Sequence, residues 1–152
     1  MAPRNQIVET FRKYLGVRWV HMGRDRRHGL DCGGVIAVVC QDLKIPYSDY
    51  VGWYSPQADG ESLMRIMQEN FREIDESEVQ PGSMIVCGVR GLTKPGEERT
   101  IPHHLFIVTE TEPEWKILHA SNKPSHMRVV EHPLPKSTRG MISGAFDFYQ
   151  AE

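Results

Sequence analysis

The chain has 152 residues, 39% of them hydrophobic and 25% charged, with a formal net charge of −2. That length and composition suit one domain with an ordinary core, and nothing in the composition points to disorder. The slight acidity excludes a nucleic-acid binder that works by general attraction. No apolar run approaches the ~20 residues that span a bilayer, so membrane insertion is not expected. Three cysteines, Cys32, Cys40 and Cys87, make no disulfide framework and suit a reducing cytoplasm. The N-terminus, Met1-Ala2-Pro3-Arg4-Asn5, lacks the apolar stretch of a signal peptide, so the expectation is synthesis in the cytoplasm without one.

In chain order, Gln6 to Leu15 predicts a first helix with Ile7, Phe11, Tyr14 and Leu15 on one face, stopped by Gly16. Gly16 to Leu30 reads as an irregular loop rich in Gly, Arg and His. Cys32 to Leu43 predicts a second helix, apolar nearly all round and therefore buried. An aromatic loop carries Tyr47, Tyr50, Trp53 and Tyr54, and a third helix begins at Asp59 or Gly60 and runs through Glu69. From Phe71 onward the pattern changes to strands: Ser83 to Val89, Ile101 to Thr109, Trp115 to Ala120, Met127 to His132 and Met141 to Tyr149. Val79 to Gly82 is a turn, and Arg90 to Thr100 reads as a polar loop. Helices first and an antiparallel sheet of about five or six strands after is an α+β order, in a single domain over 1–152.

The second helix begins with the chemistry-bearing stretch Gly29-Leu30-Asp31-Cys32-Gly33-Gly34. Asp31 is a good N-cap, because its carboxylate accepts from the open N–H groups of the first turn. Cys32 falls on that turn, where the positive end of the helix stabilises a thiolate. Gly33 and Gly34 leave the sulfur approachable. A thiol with a pKa near ~8.5 is mostly protonated at neutral pH and needs a base.

Two histidines are placed to supply one. A hairpin loop centred between Thr111 and Glu112 puts His104 directly across from His119, on one face of the sheet, with Cβ atoms ~5 Å apart. If the second helix starts against that face, Cys32, His104 and His119 converge as nucleophile, base and orienting group. The backbone N–H of Cys32 then lies where an oxyanion forms. His103 and His104 are adjacent, so only one of them faces the cleft. Each candidate also has a plain structural reading: Cys32 as a core thiol, His119 as an ordinary sheet residue. Cys40 and Cys87 sit in apolar runs and read as core. Arg24, Arg26 and Arg27 either grip substrate carboxylates or belong to a solvated loop, and the aromatics of 47–54 either line a groove or pack on the helix. A zinc site from His21, His28, Cys32, His103, His104 and His119 has no common ligand spacing, and no metal or cofactor is expected.

Gly29-Leu30-Asp31-Cys32-Gly33-Gly34, His104-Leu105-Phe106-Ile107 and Leu118-His119-Ala120-Ser121 resemble, in order, the three motifs of the NlpC-type papain-like cell-wall cysteine peptidases. Gly16-Val17-Arg18-Trp19 is similar to the element that precedes the cysteine, and Gln80-Pro81-Gly82-Ser83-Met84-Ile85 to the turn and strand that follow. The resemblance covers nearly the whole chain. It implies a papain-like fold with Cys32 as nucleophile, His104 as general base and His119 as third polar residue. It implies hydrolysis of peptidoglycan stem peptides, typically between D-glutamate and a diamino acid; amidase or deamidase action uses the same triad. Trp19, Asp31, Arg24, Arg27 and Phe106 are the candidate substrate contacts. Trp19, His21 and Gly23 resemble the phage-borne branch, which implies a virion tail or gene-transfer particle as setting, action there or at the bacterial wall, and tail-tip proteins as partners. The chain departs from the family at Trp19, where Tyr is common, at Phe106, where Gly is common, and at Gly33, where Ser is common. Trp19 and Phe106 also motivate the alternative of a silent tail subunit that keeps the fold.

Overall fold

The computed structural model describes residues 2–48, 61–94 and 97–152. Tyr50, Trp53, Tyr54 and the start of the third helix at Asp59 or Gly60 lie outside the described residues, and so does the side chain of His103.

Helix α1, Arg4–Arg12, places Ile7, Val8 and Phe11 in the core. It ends a turn earlier than its apolar spacing suggests. Tyr14 is still buried, but Leu15 is 42% exposed, and Gly16 turns the chain at φ 87°. The loop after it is not wholly irregular: β1, Arg24–Asp25, pairs with β2, Gly29–Leu30. Helix α2, Cys32–Asp42, is buried on nearly all sides, as its composition predicts. Tyr47 follows it and stacks on Phe71 with ring centroids 5.7 Å apart. Helix α3, Glu61–Asn70, turns Ile66 and Met67 inward.

The remaining elements are β3 (Arg72–Ile74), a 3-10 turn at Glu76–Glu78, β4 (Met84–Lys94), β5 (Glu97–Glu110), β6 (Lys116–Ala120), β7 (Val129–Pro133), the short α4 (Lys136–Arg139) and β8 (Ile142–Asp147). β3 to β8 form a six-stranded sheet in the order β3-β8-β4-β5-β6-β7, with every pair antiparallel. The α+β expectation therefore holds. The polar stretch Arg90 to Thr100 is strand and not loop, apart from Pro95 and Gly96, which are outside the described residues. Gly88 to Lys94 pair with β5 but not with β8, whose pairing stops at Cys87. A two-stranded ribbon of this kind needs no alternation of apolar residues, which is why its sequence reads as loop.

The sheet separates two cores. Met84, Val86, Leu105, Ile107 and Leu118 pack with α1 and α2 in the larger one. Ile85, Cys87, Phe106, Val108 and Ile117 form the smaller one on the opposite face. Cys40 and Cys87 are buried in these cores, as expected.

Candidate active site

The cysteine is positioned from two directions. Asp31 is the N-cap of α2, and its Oδ1 accepts from Gly34 N–H at 2.8 Å. The same carboxylate takes Arg24 Nη1 at 2.8 Å and the Met22 N–H at 2.8 Å. Asp31 is only 3% exposed, so it ties the pre-cysteine loop to the helix start and presents nothing to a ligand. Arg24 is likewise engaged, donating to the Gly23 carbonyl as well. These two residues therefore hold the site together. Gly34 has a similar role: a Cβ there would lie 2.1 Å from the Gly23 carbonyl oxygen, so its smallness serves close packing of the loop and not access to the sulfur.

The thiol meets the sheet where two strands part. Gly82 and Ser83 exchange hydrogen bonds with both backbone groups of Val108. Alternation then turns the Leu105 N–H away from β4, toward β6. The pairing of β5 with β6 ends at Ile107 and Leu118, short of Leu105. The Leu105 N–H points instead at the Cys32 sulfur, as does the Gly33 N–H. Burial pushes the Cys32 thiol up to about 12, and the Asp31 carboxylate adds to this, more than the two N–H groups and Arg24 take away. The helix end alone thus does not hold a thiolate, in keeping with the need for a base read from the sequence. In this setting the group rests as a neutral thiol and requires a base.

The histidines come together, though not in the register expected. Ile107 pairs with Leu118 and Val108 with Ile117, after a bulge between Val108 and Glu110. The hairpin is thus displaced by two residues from the expected pairing, so Phe106 and not His104 lies in line with His119. A two-residue displacement preserves the face, and His104 meets His119 diagonally. His104 Nε2 lies 2.6 Å from His119 Nδ1, with the rings edge-on at 4.8 Å. By strand alternation both share the face of Phe106 and Ile117, and His119 meets the start of α2 at the gap between β5 and β6. Cys32 and His119 line one narrow space with Leu105, Phe106 and Leu118, and no water-sized room remains between them.

Sequence reasoning missed a third ring. His132 Nε2 lies 2.8 Å from His119 Nε2, and His132 Nδ1 lies 2.8 Å from the Pro133 carbonyl oxygen. The signal was present: applied to the next hairpin, with its turn at Pro124 and Ser125, the same pairing argument puts His132 two residues beyond the partner of His119, on its face. Burial, reinforced by the neighbouring His104 and His132, lowers His119 to about 2, so this ring is neutral.

The other candidates are dispersed. Phe106 is 2% exposed and forms a wall of the narrow space. Trp19 is partly buried against the main core, its backbone N–H donating to the Met127 carbonyl at 2.9 Å. It stacks with His21, ring centroids 6.5 Å apart. Arg27 is exposed, whereas Arg26 covers the Tyr14 ring at 4.5 Å. His28 bonds Asp25 at the surface. Among the described residues no group of three His, Cys, Asp or Glu side chains is arranged to hold a metal ion. None of the described helices is long and apolar enough to cross a membrane.

No family model matches the chain, and no curated protein matches it in sequence. Solved structures do. The NlpC/p60 domain of the peptidoglycan hydrolase SagA aligns over 93% of this chain and 96% of its own, with 22% identity and a TM-score of 0.57. An NlpC/p60 family protein from Bacillus cereus aligns over 93% of this chain and 39% of its own, at 17% identity and a TM-score of 0.65. The peptidoglycan hydrolase RipB from Mycobacterium tuberculosis aligns over 94% and 65%, at 19% identity and a TM-score of 0.53. The chain therefore spans well under half of the Bacillus protein. Helix α2 packed on the six-stranded antiparallel sheet, with Cys32 at its start, is the papain-like fold of the NlpC/p60 domains.

Proposed function

We propose that the protein is a cysteine peptidase that hydrolyses peptide bonds in the stem peptides of peptidoglycan. The observation that carries this reading is the thiol of Cys32 set against the strand of His104, in one narrow space with His119, while His104 and His119 share a hydrogen bond. The NlpC/p60 structures of the same fold include peptidoglycan hydrolases.

The raised thiol makes the base the essential partner. His104 takes the proton from Cys32 as the sulfur attacks the scissile carbonyl carbon. The oxyanion so formed is met by the backbone N–H of Cys32 at the positive end of α2. When the C–N bond breaks, the departing amine takes the proton back from His104. Water then hydrolyses the thioester, releasing the acid and restoring the thiol. His119, neutral and hydrogen-bonded to His104, orients it throughout. We place the cut between D-glutamate and the diamino acid. Trp19 and the exposed Arg27 are the available contacts for the substrate, with Phe106 as a wall. The loop of Trp19, His21 and Gly23 supports a phage tail or gene-transfer particle as setting, with synthesis in the cytoplasm and action at the cell wall.

A second reading, a silent tail subunit, is favoured by the closed space between Cys32, Phe106 and His119. Mass spectrometry of muropeptides after digestion separates the two. The peptidase reading expects new fragments ending in D-glutamate and beginning with the diamino acid. Unchanged muropeptides, together with stable binding to a tail protein, would establish the silent reading instead.

A further inference from the structure

We propose that His132 is a positioning residue that fixes the order of protons along His104, His119 and His132, with the Pro133 carbonyl as the anchor of that order. The proposal rests on the peptidase reading for its purpose, but its geometry stands apart from it.

The argument is one of valence. A neutral imidazole has one N–H and one lone pair, and a carbonyl oxygen only accepts. The Pro133 oxygen lies 2.8 Å from His132 Nδ1, so Nδ1 carries the proton and Nε2 the lone pair. His132 Nε2 must then accept from His119 Nε2–H across 2.8 Å. That leaves the lone pair of His119 on Nδ1, where it accepts from His104 Nε2–H across 2.6 Å. His104 is thereby held with its basic lone pair on Nδ1. Any other order of three neutral rings sets two protons or two lone pairs against each other at one of these contacts. The burial that keeps His119 neutral removes the remaining freedom, since a second proton on that ring would break the order.

The placement follows from the sheet. In the pairing of β6 with β7, His119 faces Val130 and Ile117 faces His132, so His132 stands two residues along on the same face. It is partly exposed on the edge strand, and the Pro133 carbonyl follows directly in the chain.

The consequence for the reaction is specific. When Cys32 gives up its proton, the S–H bond breaks and an N–H bond forms at His104 Nδ1. The charge stays on His104, whose Nε2–H continues to donate to a neutral His119. His119 and His132 exchange no proton. Without His132, His119 is free to take the Nδ1–H form. That form turns a proton toward His104 Nε2 and drives the His104 proton to Nδ1, so the base is lost.

The test uses the whole protein, labelled with nitrogen-15 at histidine. Long-range proton–nitrogen spectra report which nitrogen of each ring is protonated. The expected pattern is Nε2–H for His104 and His119, and Nδ1–H for His132. An Nε2–H form of His132, or an Nδ1–H form of His119, would overturn the proposal. Three substitutions at this partly exposed position extend the test, read by the rate of Cys32 alkylation with iodoacetamide as a function of pH. His132→Gln can offer a carbonyl oxygen near the position of Nε2, His132→Leu offers nothing, and His132→Lys offers only a donor. The Gln variant is expected within about 3-fold of the parent, the Leu variant about 10-fold slower, and the Lys variant slower still. Equal rates in all three, or a ranking by side-chain size, would also overturn it. Neither readout needs peptidoglycan. Muropeptides left intact by a protein with the expected proton order would refute the peptidase reading alone, and hydrolysis without that order would refute this proposal alone.

Discussion

On the β3, β8 and β4 side of the sheet a carboxylate is buried among cations; on the β5, β6 and β7 side three imidazoles are joined ring to ring. Asp147, 2% exposed, takes Arg4 at 3.1 and 2.8 Å, Ser83 Oγ at 2.6 Å and Arg72 at 3.4 Å. This clamp ties α1 to the end of β8 and to the turn before β4. Burial raises the Asp147 carboxyl, but the hydrogen bonds from Arg4 and Ser83 outweigh it and hold the group below the ordinary carboxylate range. The histidine side does the reverse, keeping a base uncharged by burial. A region that only has to hold uses charge. In the proposed reaction the proton from Cys32 would then arrive beside an imidazole, His119, that burial holds uncharged.

The largest effect should come from breaking the clamp. Asp147→Ala leaves the Arg4 guanidinium, itself only 13% exposed, without its carboxylate. Removing one partner of such a pair costs about 3–5 kcal/mol. Urea unfolding should show that loss, while the alkylation rate of Cys32 in the folded protein stays at the parent value. A slowed Cys32 would mean that the two sides are not independent.

The pH axis sharpens the contrast. The folded pKa of His119 is depressed, so the stability tied to its neutral form is complete above the unfolded value of ~6.5 and is lost as the pH falls toward 2. Asp147 is also depressed, but its contribution is complete above ~3.9 and is lost only below that. Acid should therefore weaken the histidine side first. Between pH 6.5 and 5 the parent should lose up to about 2 kcal/mol through His119, and His119→Asn should flatten this slope. Identical slopes in both proteins would break the assignment.

Asp31→Asn should cost less, about 1–3 kcal/mol, because Asn still caps the helix while the Arg24 guanidinium loses its carboxylate and the Met22 N–H its acceptor. Its effect on chemistry should be clear. Burial will continue to raise the Cys32 thiol, but the second cause, the Asp31 charge, is gone, so the alkylation profile should move to lower pH. The smallest effect is expected at Arg27, which is exposed: Arg27→Ala should leave stability within about 0.5 kcal/mol of the parent. If Arg27 contacts the stem peptide, KM for muropeptides should rise with kcat unchanged.

Much of this was legible in the residues. The Asp31 cap, the Cys32 helix start and the meeting of His104 with His119 follow from local rules that depend on few neighbours. What was not legible depended on distant parts. The hairpin register was displaced because the turn centres on Pro113 and not between Thr111 and Glu112, and a bulge beside Glu110 takes back one residue of that shift. Arg90 to Lys94 pair with β5 alone among the described strands. Nothing in the residue order shows that Arg24 pairs with Asp31, because that contact depends on the short β1–β2 hairpin. His132 was overlooked because its meaning depends on a second hairpin register and on a carbonyl oxygen, and a main-chain oxygen leaves no mark in a list of side chains.

The central claim is that Cys32 is the nucleophile and His104 its base. The most direct measurement is the initial rate of muropeptide cleavage, followed by mass spectrometry, for the parent, Cys32→Ala and His104→Ala at matched folded concentration. The account predicts cleavage by the parent, none by Cys32→Ala, and a loss of about 100-fold or more for His104→Ala. Cleavage by Cys32→Ala at the parent rate would contradict it.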